Sequence, residues 1–255
     1  MTEPLKSDRP WVLTIAGFDP SAGAGVLADS RTFADFGCAP LAVVTSITFQ
    51  NQDRVIGCAH QDAATVRAQL LPLVRDRRLA SLKTGMLPTS EVVLEVARSI
   101  REFNLGPLVV DPVIRSTSGY QLIDDKALTA LRQNLLSEAR VVTPNIAEAE
   151  ALAGISIKDE ASMHRAAELI RKAGAQAVLV KGGHLAVGSE AIDVLNDNGE
   201  ITVFRSEWIS GGGFHGTGCV LSAAIAAGLA QGSNLKSAVQ QAKHFISAAI
   251  RTYRT

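Results

Sequence analysis

A chain of 255 residues that is 47% hydrophobic carries enough apolar material for a sizeable core, and α/β chains of this length commonly form one domain. Lysine plus arginine equals aspartate plus glutamate at 25 each, and outside the short "RDRR" at 75–78 the basic residues are scattered, which argues against DNA or RNA as a partner. Three widely spaced cysteines (Cys38, Cys58, Cys219) with no C-x-x-C pair, a polar start and no apolar run of bilayer length lead us to expect a soluble, cytoplasmic protein in a reducing compartment.

After a flexible tail at 1–10, the first strand-length apolar run is "WVLTIAG" at 11–17, followed by the glycine-rich turn "GFDPSAGAG" and a helix carrying Asp29. A second run, "LAVVTSIT" at 41–48, leads into "TFQNQ". "KTGML" at 83–87 reads as loop, and "TSEVVLEVARSIREF" as an amphipathic helix with Val92, Val93, Val96, Ala97, Ile100 and Phe103 on one face behind a Ser90 cap. Further strands are "PLVVD" at 107–111, "RVVTP" at 140–144 and "QAVLVKGG" at 176–183. "EAIDVLNDNGEITVFRSE" breaks the alternation with a hairpin about Asn198-Gly199. The cluster "GGGFHGTGC" then opens an Ala-rich helix, and a last helix at about 234–252 closes a single domain. Val/Leu strands buried on both faces and alternating with helices predict a three-layer α/β/α sandwich around a mostly parallel sheet. In such open sheets ligands bind beyond the carboxyl ends of the strands, so the polar and glycine-rich segments collect on one rim.

Each segment on that rim admits a chemical and a plainer reading. In "HGTGC", glycines on either side of Thr217 let the N–H groups of Gly216, Gly218 and Cys219 converge on an oxygen-rich group, with Cys219 at a helix N-terminus whose dipole lowers the thiol pKa toward a thiolate base. Equally, they form a tight turn ahead of a cysteine packed like an alanine. There is no G-x-x-x-x-G-K-[ST] and no proper G-x-G-x-x-G, which excludes the common P-loop and counts against a dinucleotide fingerprint. Gln50 and Asn51 present amides that suit an aminopyrimidine edge, or bond loop backbone. Asp29 on its own reads as a surface acid. The carboxylates of Asp111 and Glu148 suit Mg²⁺ near a phosphate site, while Asn145 with Glu148, three residues apart after Pro144, also spells a capping box. Lys181 at a strand end reaches a phosphate or snorkels to water. Histidines 60, 164, 184, 215 and 244 show no metal spacing.

Together, "IAGFDPSAGAGVLAD", "TFQNQ", "KTGML", "DPV", "TPNIAEAE", "VKGGH" and "HGTGC" resemble, in order from about residue 11 to 250, the hydroxymethylpyrimidine/phosphomethylpyrimidine kinases of the ribokinase-like superfamily. The resemblance implies an ATP- and Mg²⁺-dependent kinase of thiamin biosynthesis. Its substrate is 4-amino-5-hydroxymethyl-2-methylpyrimidine, and in many members the monophosphate as well. It implies Cys219 as catalytic base, where sugar-kinase relatives use aspartate, and Gly216, Thr217 and Gly218 as the anion hole. It also implies Gly17, Ala24, Asp29, Gln50, Met86 and Val113 as the pyrimidine pocket, Lys181 and Asn145 on the nucleotide phosphates, Asp111 and Glu148 at the metal, and a homodimer. The chain departs from the family at Phe18, at "GGGF" before His215, and at "RSTSGYQL", where Tyr120 replaces a usual acid. These departures bear on the second phosphorylation and the exact substrate. A pyridoxine or pyridoxal kinase of the same fold, and a catalytically silent pyrimidine-binding protein, are the alternatives.

Overall fold

A computed structural model describes residues 8–51, 54–75, 77–116, 118–183, 190–207 and 216–252. Most of the expected tail, Asp76 of the basic run, His184, and 208–215 with Phe214 and His215 lie outside the described residues. The elements are β1 (Trp11–Phe18), α1 (Gly25–Asp35), β2 (Ala39–Gln50), β3 (Val55–His60), α2 (Ala63–Arg75), β4 (Leu79–Thr84), α3 (Ser90–Glu102), β5 (Leu108–Val110) and α4 (Asp125–Ala130). They continue with β6 (Ala139–Val142), α5 (Ile146–Ala153), α6 (Glu160–Lys172), β7 (Ala177–Lys181), β8 (Glu190–Asp197), β9 (Glu200–Glu207), α7 (Thr217–Ala230) and α8 (Leu235–Thr252).

One sheet runs in the order β3-β2-β1-β4-β5-β6-β7-β8-β9. The strands from β2 to β7 pair in parallel, and antiparallel β3 and the β8–β9 hairpin finish the two edges. The period of two along the central strands divides the core. Leu13, Ile15, Val178 and Val180 pack with α2 to α6 on one face; Val12, Ala177 and Leu179 pack with α1, α7 and α8 on the other. The three-layer expectation matches this architecture.

Local chemistry explains most elements. The apolar stripe of α3 is buried as its spacing requires, with Val92, Val93, Val96, Ala97 and Ile100 inside and Phe103 at the margin. Its cap is Thr89, one residue before the expected Ser90, because the Thr89 side chain accepts the Val92 N–H at 3.4 Å. At the hairpin tip Asn198 and Gly199 both have positive φ, 52° and 99°, as a two-residue turn between twisted strands demands. Two strands escaped the sequence reading: β3, and β4, which contains the Lys83-Thr84 start of the "KTGML" loop. Among the described residues no helix is long and apolar enough to cross a membrane.

The chain leaves β1 through α1 to one side and returns through α2 to β4 on the other, so the order of connection reverses between β1 and β4. A crevice opens outside the carboxyl ends of strands at such a point.

Candidate active site

A cavity of about 630 Å³ occupies that crevice. Its first wall is the turn after β1. Asp19, 2% exposed, organises that turn by accepting the Ser21 N–H and hydroxyl at 2.8 and 2.7 Å and the Ala24 N–H at 2.9 Å. The opposite lip is the start of α7. Gly216 has φ 84°, and a Cβ there would stand 1.8 Å from the Gly23 carbonyl oxygen, so the two glycine turns touch backbone to backbone. That contact is why glycines cluster before both helices.

Thirteen of the fourteen sequence-predicted site residues line this one cavity: Gly17, Ala24, Gln50, Met86, Val113, Asp111, Asn145, Glu148, Lys181, Gly216, Thr217, Gly218 and Cys219. Gln50 ends β2, and Met86 follows β4, its carbonyl accepting the Thr45 hydroxyl at 2.6 Å. Asp29 is the exception. It is fully buried, outside the cavity lining and paired with Lys83, because α1 turns it inward toward the sheet; it is neither a surface acid nor open to a ligand. Asn51 bonds loop backbone, accepting the Arg54 N–H on its side chain at 3.0 Å. Phe18 lines the cavity, whereas Tyr120 is exposed and does not.

Beside the start of α7, Lys181 donates to Asp111 Oδ1 at 3.1 Å. A Cβ on Gly218 would come within 3.2 Å of the Lys181 ammonium, which places that charge against the first turn of α7. Helix N-termini carry N–H groups without intrahelical acceptors and the positive dipole end, so cation and amides converge there. The Asp111 carboxylate also accepts Thr143 Oγ1 at 3.3 Å and Ser222 Oγ at 3.2 Å. Burial pushes the Asp111 carboxyl up, but Lys181 and then Lys83 outweigh it and hold it below the usual range. Burial opposes the charge on Lys181 as well, and Asp111 with Glu148 keeps it cationic.

Glu148 closes the capping box expected from "TPNIAEAE": its Oε2 accepts the Asn145 N–H and Asn145 Oδ1 accepts the Glu148 N–H, both at 2.9 Å. Both residues also line the cavity, so capping leaves them on its wall. Burial pushes the Glu148 carboxyl up to about 7, with Lys181 opposing and Asp111 adding to the shift. Among the described residues no group of three or more His, Cys, Asp or Glu is arranged to hold a metal. Two buried carboxylates on the wall of one cavity, Asp111 and Glu148, still fit Mg²⁺, which keeps several waters and binds through one or two carboxylates plus phosphate oxygens.

Cys219, in the first turn of α7, lines the cavity together with Gly25, the first residue of α1, and the Gly216–Gly23 backbone contact brings the two helix N-termini together there. The expected lowering by the dipole is not the net result. Burial pushes the thiol up to about 11, and Lys83 opposes that rise only in part. Lys83 itself, fully buried and on the cavity wall, was missed in the sequence. So was the pair Asp193–Lys243 at the far end, where Asp193 also accepts the Gly182 N–H at 2.9 Å. The legible signal for Lys83 was a lysine inside a short strand of otherwise small and apolar residues, "LASLKT".

The fold and this cavity define a ribokinase-like protein. A solved ADP complex of pyridoxal kinase from Bacillus subtilis superposes with TM-score 0.87 at 37% identity, covering 95% of this chain and 92% of that one. A crystal structure of phosphomethylpyrimidine kinase from Clostridium difficile gives 0.85 at 37% identity, covering 95% and 100%. The hydroxymethylpyrimidine/phosphomethylpyrimidine kinase of Rhizobium meliloti is 44% identical over 239 residues, 93% of this chain and 89% of that protein. The chain spans about half the length of the curated bifunctional thiamine-biosynthesis relatives it also matches. The family model for phosphomethylpyrimidine kinase matches residues 19–255, and the chain belongs to that family.

Proposed function

We propose that this chain transfers the γ-phosphoryl group of ATP to the hydroxymethyl oxygen of 4-amino-5-hydroxymethyl-2-methylpyrimidine, and to its monophosphate, in thiamin biosynthesis. One observation carries the reading: a single cavity holds an amide–thioether–valine end (Gln50, Met86, Val113) and a cationic helix-terminus end (Lys181, Gly218), with Cys219 on its wall. Gln50 supplies the donor and acceptor that an aminopyrimidine edge pairs with, and Met86 and Val113 cover the ring faces. The amides of 216–219 and Lys181 receive the negative charge that develops on the migrating group. As the acceptor oxygen bonds phosphorus and the bond to ADP breaks, the acceptor proton passes to the Cys219 sulfur, which must be a thiolate to take it. An incoming phosphate competes with Asp111 for Lys181, which releases a carboxylate oxygen beside Glu148. Mg²⁺ held there by Asp111, Glu148 and phosphate oxygens would spread the phosphate charge, while Asn145 keeps Glu148 oriented through the capping box.

The chain acts as a single cytoplasmic kinase domain and as a homodimer. The exposed Ile47, Phe49 and Ile56 on the β2–β3 edge supply apolar surface for the second copy, and sedimentation checks it. Product analysis after incubation with ATP, Mg²⁺ and the hydroxymethylpyrimidine tests the function, with pyridoxal as the competing acceptor. Monophosphate and diphosphate products support it. Pyridoxal turnover far above pyrimidine turnover would move the assignment to a pyridoxal kinase, and ligand binding without ATP consumption would make the protein a silent binder.

A further inference from the structure

A fully covered lysine–aspartate pair joins the cavity wall, through Lys83, to the layer beneath it. Thr14 on β1 and Lys83 on β4 are register partners in the parallel sheet, so their side chains leave the same face. Asp29 on α1 receives both: Thr14 Oγ1 donates at 2.6 Å, and the Lys83 ammonium donates at 2.8 and 3.0 Å. Both side chains of the ion pair are 0% exposed. Withdrawing two charges from water carries a large desolvation penalty, and buried pairs are often replaceable by apolar side chains without loss, so stability is a weak reason for this one.

The same helix connects the pair to the reactive sulfur. Gly25, the first residue of α1, stands four residues before Asp29, and β4, which carries Lys83, packs against α7, which bears Cys219. α1, which carries the carboxylate that holds the lysine, packs against α7 as well. Lys83 and Cys219 both form the cavity wall.

We propose that Lys83 is a positioning residue that acts through Cys219: pinned by Asp29 and Thr14, its ammonium is the fixed positive charge that lets a thiolate exist in the partly covered cavity wall. The proposal rests on the reading of Cys219 as the base. The charged groups facing the sulfur are Asp29 from α1, Lys83 from β4, Asp111 after β5 and Lys181 from β7. The carboxylates oppose a thiolate and the ammoniums favour it, and Lys83 sits on β4, which packs directly against the helix that carries Cys219. Lys181 is 15% exposed, whereas the Lys83 side chain is 0% exposed and its ammonium is held by both Asp29 carboxylate oxygens.

The test is the pH dependence of Cys219 alkylation by iodoacetamide, followed by peptide mass spectrometry on the full chain without nucleotide. Wild type is compared with Lys83→Met and with the double variant Asp29→Asn/Lys83→Met, which leaves no unpaired buried charge and keeps the test readable if the single variant fails to fold. Lys83→Met should raise the midpoint by about one pH unit, so that alkylation below the midpoint slows about tenfold. The double variant should move the same way by less, because a carboxylate opposing the thiolate is gone too. Midpoints within about 0.3 unit of wild type in folded variants would overturn the proposal and leave Lys83 structural. The readout needs no turnover. Normal turnover in Cys219→Ala removes the base reading without affecting alkylation results, and unshifted alkylation removes the role of Lys83 without affecting the base reading.

Discussion

Two lysine–aspartate pairs flank the same cysteine and differ mainly in their access to the cavity. Lys83–Asp29 closes at 2.8 Å with both side chains 0% exposed, while Lys181–Asp111 closes at 3.1 Å with 15% and 4% exposed. Identical chemistry in two degrees of enclosure gives two kinds of charge. The sealed pair is a permanent feature of the field around the sulfur. The open pair can exchange partners, because its lysine is partly exposed on the cavity wall and water can stabilise each separated charge.

The largest expected effect removes the group between the pairs. Cys219→Ala should lower turnover by about two orders of magnitude or more, as loss of a general base does, with an unchanged melting temperature. Steady-state kinetics check it, and near-normal turnover would leave both pairs with nothing to act on. Next, Lys181→Met should raise KM for ATP about tenfold, whereas Lys83→Met should lower kcat and move KM for ATP by less than about twofold. A KM increase in Lys83→Met equal to that in Lys181→Met would erase the distinction between sealed and open.

The third prediction uses pH. The thiol lies above its ordinary 9.0, at about 11, so the base form is a minor species at neutral pH. Its population grows about tenfold per pH unit below that value, and turnover in wild type should rise with pH over the range the fold tolerates. The residual rate of Cys219→Ala should lack that slope. The smallest effect concerns the open pair's neighbour. Glu148 binds its proton more tightly folded (about 7) than unfolded (4.5), so wild type loses stability as pH rises between those values. Glu148→Gln keeps the capping-box geometry and should flatten that slope by a few degrees in melting temperature, measured from about pH 4.5 to 7.

Much of this was legible in advance, for local reasons. The alternating strands and the hairpin at Asn198-Gly199 follow from periodicity and turn chemistry, and the rim residues Gln50, Met86, Asp111, Lys181 and Cys219 fall together because parallel strands point their carboxyl ends one way. The short strand β4 was hidden because Lys83 interrupts its apolar pattern, and the lysine's purpose lies 54 residues away at Asp29. The cap at Thr89 slipped by one residue since Ser90 offers the same hydroxyl.

The sequence by itself determined which elements form, in what order, and which chemical groups crowd one rim, because helix and strand periods and glycine turns are written in neighbouring residues. Only the tertiary structure decided that Asp29 is sealed under the site and not displayed on it, that Lys83 belongs there, and that the cysteine's proton is held more tightly than in water. Those outcomes depend on desolvation and on charges brought in by distant segments, and no local pattern encodes how much water packing leaves around an atom.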